Sequence, residues 1–156
     1  MHGFALVMGS VFGFPWAAAI LKSCNKLVRT INASHNLTNW LRDEIKGLKN
    51  LPAYKHLTWL VQAATTRFTT LYKCMRSVLD FKTAIENVVR AHKAKLTKTD
   101  ASDAQKALVK QVENYKFWAE LAVLTPLAEP FNKVCPILTA FADSLCFCRT
   151  AIQSMS

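Results

Sequence analysis

From Pro15 onward, apolar residues recur along this chain at steps of three and four, the period of a helix that buries one face. Ile20, Cys24, Leu27, Val28 and Ile31 form the first such stripe, and Pro15 suits the opening turn because its missing N–H is not needed there. A second helix is predicted over about 35–45, with Leu37, Trp40, Leu41 and Ile45 inward, Ser34 or Asn36 as cap and Gly47 as terminator. Residues 48–54, which include Pro52, read as a connector, and Thr58, Trp59, Leu60 and Val61 as a short extended segment. The longest stripe, Leu71, Met75, Val78, Ile85, Val88 and Val89, has no Gly or Pro within it and predicts one helix over 68–93.

Polar and small residues over 95–104 interrupt the pattern. Asp100 or Ser102 then caps a helix predicted to carry Leu108, Val112, Tyr115, Trp118 and Leu121 on one face and to stop before Pro126. Two further helices are expected, one after Pro130 with Phe131, Val134 and Leu138, and one capped by Asp143 with Leu145, Cys148, Ile152 and Met155. The fold class that follows is mainly α, with a short strand near 3–12 or 58–61. No internal repeat or long coiled coil is present. The 156 residues suffice for one ordinary core, so 1–156 is expected to be a single unit.

Before Pro15 the pattern changes. Phe4, Leu6, Val7, Val11, Phe12 and Phe14 make the start of the chain strongly apolar, and His2 is the first titratable side chain before Lys22. Gly9, Gly13 and Pro15 interrupt any spanning helix, and the basic n-region of a secretory leader is missing, so no membrane partner is expected. The sequons Asn32-Ala33-Ser34 and Asn36-Leu37-Thr38 matter only for a secreted chain, and composition by itself leaves secretion open.

Charge sharpens the picture. Residues 1–99 hold fifteen Lys or Arg against four acids, whereas residues 100–156 hold five against six. The basic field therefore belongs to the first two-thirds, where it attracts nucleic acid, anionic lipid or acidic protein without choosing among them. Lys22, Lys26 and Arg29 share one face of the first helix at i, i+4 and i+7. Five cysteines, an odd number with no C-x-x-C pair, read as buried thiols of a reducing compartment; the Cys146/Cys148 pair lacks the further ligands a zinc site needs. No metal or cofactor is expected. Phosphate-cradling glycine loops, H-E-x-x-H and G-x-S-x-G are all missing, and His2, His35, His56 and His92 are scattered among different segments.

The order of several short motifs resembles a known family. His2-Gly3-Phe4-Ala5-Leu6 is similar to the tail of the C-x-x-H-x-L-N-L motif of hAT superfamily transposases, and Phe14-Pro15-Trp16-Ala17 to the Pro-Trp step that precedes a Lys- and Asn-rich helix there. Thr66-Arg67-Phe68 resembles the family's Thr-Arg-Trp or Thr-Arg-Phe opening of a long helix. Phe117-Trp118, Pro130-Phe131 and Ala142-Asp143 resemble the W…P-[IF]…D pattern of its helical insertion. The resemblance implies a ribonuclease-H-like core interrupted by helices, with 1–21 a remnant of that core and 22–156 the insertion. It also implies a nuclear protein.

In the family, three acids and divalent metal cut and join DNA. Those acids fall upstream of the C-x-x-H motif and downstream of the insertion, so none has a counterpart in this chain, and no catalysis is expected of it. Apolar residues near the N-terminus would then lack partner surface and drive self-association. The function expected is that of an inactive or domesticated transposase remnant with weak, non-specific DNA contact through Arg67, Lys22, Lys26 and Arg29. An unrelated basic helical adaptor in the nucleus and a secreted helical protein are the alternatives.

Overall fold

The computed structural model describes residues 15–56, 58–63 and 68–153. Six α-helices carry it: α1 Pro15–Ala33, α2 His35–Leu48, α3 Phe68–Asp80, α4 Lys82–Leu96, α5 Asp103–Val112 and α6 Tyr115–Gln153. A single 3-10 turn, Pro52–Tyr54, follows α2. The mainly α class is observed, and the described residues contain no strand. Residues 3–12 lie outside the described residues. Thr58 to Val61 are irregular rather than extended in a ladder. Their backbone is held from the side instead, by Val61 N–H donating to Ser77 Oγ at 3.0 Å, and Leu60 is buried.

Helix α1 is the hub, packing against α2, α3, α5 and α6. Its inward stripe is the one the spacing predicts: Ile20, Cys24, Leu27, Val28 and Ile31 are all buried, joined by Ala17. Burying a Leu, Ile or Val side chain of this kind contributes about 1.5–3 kcal/mol. Ser34 caps α2, its Oγ accepting from Leu37 N–H at 3.4 Å. Gly47 does not end that helix. It lies inside α2 with open space where a Cβ would stand and no positive φ, and the helix closes at Leu48. Ser102 and Gln105 form a reciprocal capping box at the start of α5.

The helix predicted over 68–93 is two helices meeting at Phe81, whose φ of −88° and ψ of 3° leave the helical basin. The hydrogen bonds from Phe81 N–H to Ser77 O and from Ile85 N–H to Phe81 O persist, so the joint is a bend rather than a gap. Its cause is tertiary. Helix α3 packs on α6 and α1 while α4 packs on α2 and α5, and the Phe81 ring, 2% exposed, sits edge-on to Trp59 at the corner.

The second half of the chain corrects the sequence reading twice. The stripe from Leu108 to Leu121 is not one face of one helix, because the chain turns at Glu113 and Asn114. Asn114 Oδ1 accepts from Lys116 N–H at 3.0 Å and so caps a new helix, leaving Tyr115 82% exposed while Trp118 and Leu121 are buried. That new helix then runs for 39 residues, straight through Pro126, Pro130 and Pro136. Pro126 and Pro130 are exposed, as is Ala122, so the Ala122 and Pro126 carbonyls that lose their i+4 donors lie on the solvent side, where water replaces the missing bonds. Asp143 accordingly lies within α6 and not at the start of a helix.

Candidate nucleic-acid interface

The first acid in the chain is Asp43, so residues 1–42 carry Lys22, Lys26, Arg29 and Arg42 with no carboxylate among them. The structure leaves this charge uncompensated. Six ion pairs form among the described residues, namely Asp43–Lys46, Asp80–Arg76, Glu86–Lys82, Glu113–Lys93, Glu120–Lys116 and Glu129–Lys133. None of them uses a cation of the first 42 residues. Lys22, Lys26 and Arg29 are all exposed, on the face of α1 opposite Ile20, Leu27 and Val28. From Lys22 to Arg29 the helix rises about 10 Å, so three charges follow one line on a rigid, centrally packed element.

A fourth cation, Arg42 of α2, is linked to the end of α1 through an aromatic residue. Trp59 donates its indole N–H to Asn32 Oδ1 at 3.1 Å, which ties it to the C-terminal end of α1. The Arg42 guanidinium lies 5.4 Å from the centre of the same indole ring. Neither Arg42 nor Trp59 was singled out from the sequence, since they lie on different elements. The legible signal was the lack of acids before Asp43.

Of the other residues expected at a site, Trp118, Pro130 and Asp143 do not converge. His2 and Arg67 lie outside the described residues. Phe68 opens α3. Trp118, Pro130 and Asp143 are strung along α6, with about 18 Å of rise from the first to the second and about 20 Å from the second to the third. Trp118 is a packing residue, 4% exposed, with its indole N–H donated to Val112 O at 2.8 Å and Lys82 Nζ at 5.4 Å from its ring.

Beyond residue 42, the ion pairs take up Lys46, Arg76, Lys82, Lys93, Lys116 and Lys133, while Lys49, Lys55, Lys73, Arg90, Lys95 and Lys98 take part in none of them. A groove of about 450 Å³ between α4 and the α5–α6 corner is lined by Lys82, Arg90 and Lys93, and two of these three are paired with Glu86 and Glu113. His92 stacks on Trp40 with ring centres 3.8 Å apart, and burial together with Lys95 lowers its pKa, which disfavours the protonated ring. No group of three or more His, Cys, Asp or Glu side chains gathers among the described residues. Cys24 and Cys74 are free and buried; burial pushes the Cys74 thiol up to about 11 and the Cys24 thiol higher still. No described helix is long and apolar enough to cross a membrane.

No family model, no curated protein and no solved structure matches this chain.

Proposed function

We propose that the chain is a non-catalytic, nuclear nucleic-acid-contacting module that grips the phosphate backbone through Lys22, Lys26, Arg29 and Arg42. The single observation that carries this reading is the unpaired basic line on α1, on a structure whose six ion pairs all lie elsewhere. Ammonium and guanidinium groups held on a rigid helix neutralise phosphates and release counterions without reading bases. Such contact is weak and independent of sequence, with dissociation constants of about 1–100 μM at physiological salt. The order of the motifs from His2 to Asp143 supports descent from a hAT-type transposase, and an all-helical body from Pro15 onward is what a helical insertion of that family requires. On that descent, Arg67 is a fifth backbone contact.

A second reading, the helical adaptor, is favoured by α6. Val123, Leu127 and Val134 are exposed along its outer face, an apolar stripe of the kind that seats a partner protein.

The test is salt-dependent binding of duplex DNA. Four phosphate contacts give a log–log slope of about −3.6, or about −4.5 with Arg67 as a fifth, and charge reversal at Lys22, Lys26 and Arg29 together should flatten it by at least about 2.7. Reversal at Lys106 and Lys110, both in α5 and outside the basic first two-thirds of the chain, should leave the slope in place. Retention that ignores salt, or a larger effect from Lys106 and Lys110, overturns the proposal.

A further inference from the structure

The line of charge on α1 ends at Trp59, and Trp59 has a second side. Besides its contacts with Asn32 and Arg42, it lines a pocket of about 160 Å³ together with Tyr72, Lys73 and Arg76 of α3. We infer that this pocket takes one unpaired base of a single-stranded nucleic acid whose backbone lies along Lys22, Lys26, Arg29 and Arg42. The inference rests on the backbone-binding reading and adds to it a preference for single strands over duplex.

Size and chemistry both argue for a base. Enclosed sites for drug-sized ligands run to about 300–1,000 Å³, so this pocket suits one ring system and not a whole nucleotide with its sugar and phosphate. Two aromatic residues contribute walls, and every base offers a π-face to stack against them without regard to its identity. Phe81, 2% exposed and edge-on to Trp59 at 6.4 Å, supplies an apolar floor. The rim is polar. Arg76 is paired with Asp80, its Nε lying 3.1 Å from one carboxylate oxygen and 3.2 Å from the other, while Lys73 is exposed and takes part in no ion pair. With Lys73 and Arg76 against Asp80, the rim keeps one net positive charge for the flanking phosphate. The bases of a duplex are already stacked on one another and cannot enter.

The experiment uses the full chain, labelled with ¹⁵N, and two probes at the same salt: a short oligothymidine and a duplex of the same length. Fluorescence anisotropy should show the single strand binding roughly 5- to 150-fold tighter than the duplex, the range expected for one stacked base. Trp59→Leu should bring the two affinities together. Because that change also removes the bond to Asn32, the indole N–H signal of Trp59 in the unaltered chain, assigned by its loss in Trp59→Phe, provides a reading that does not depend on the variant folding. It should move on titration with oligothymidine and stay nearly still with duplex, while the buried Trp118 signal stays still with both. Equal affinity for the two probes with an unmoved Trp59 signal overturns the inference and leaves the backbone reading standing. Failure of both probes to bind in a salt-dependent way overturns both readings.

Discussion

Replacing Trp118 with Phe tests the account of the α5–α6 corner. The indole N–H is donated to Val112 O at 2.8 Å, in the last turn of α5, where helix carbonyls have no donor of their own. A Phe ring keeps most of the apolar burial but leaves that carbonyl unpaired in the interior, at a cost of about 1–3 kcal/mol. The Lys82 ammonium, 5.4 Å from the indole centre, then faces a smaller ring of weaker quadrupole, which adds about 0.5 kcal/mol. Truncation to Ala should cost about 3–5 kcal/mol, because the neighbours Phe117 and Leu121 cannot close over the hole. With a urea dependence of about 2 kcal/mol per molar for a chain of this size, Trp118→Phe should lower the unfolding midpoint by about 1 M. Tyr115→Ala is the matched control: three residues earlier and 82% exposed, it should change stability by no more than about 0.5 kcal/mol. If Trp118→Phe moves the midpoint no further than Tyr115→Ala, the corner is not held by the indole.

Two other predictions concern the interior and the long helix. The Cys74 thiol, pushed up to about 11 from an ordinary 9.0 by burial, stays neutral in the fold where the unfolded chain ionises. Its contribution to stability is therefore intact below pH 9.0 and is lost as the pH rises from there toward 11, so urea midpoints should fall over that window, and Cys74→Ala should flatten the fall. Pro126→Ala restores an N–H donor to the Ala122 carbonyl within α6 and should raise stability by up to about 3 kcal/mol, with a gain in helical ellipticity; a loss of stability would mean that the helix does not run through this position.

Helix existence was written in the chain. Ile20, Cys24, Leu27, Val28 and Ile31 could be assigned to one buried stripe from spacing alone, because a helix repeats every 3.6 residues whatever surrounds it, and the Ser34 cap follows from local hydrogen bonding that needs no tertiary partner. Ser102 was legible for the same reason. The basic line on α1 was equally open to reading, since spacing puts Lys22, Lys26 and Arg29 on one face and the acids start only at Asp43.

Where helices end and bend was decided by what they pack against. Nothing local to Phe81 stops a helix; it bends because the two flanking stretches serve different partners, α6 and α1 on one side, α2 and α5 on the other. Pro126 and Pro130 break a helix by rule, yet here they lie on a solvent-facing side where the freed carbonyls can be hydrated, while Leu121, Leu124 and Ala128 are buried on the opposite side and hold the helix in place. Tyr115 has the right spacing for burial and is turned outward because Asn114 starts a new helix in a new phase. Trp59 could not be matched to Asn32, Arg42 and Tyr72 from the chain, for those residues come from α1, α2 and α3 and meet only when three helices close around the irregular segment. Periodicity reports which face of each helix is apolar; which faces meet depends on the packing of the whole, and that is where the pocket beside Trp59 comes from.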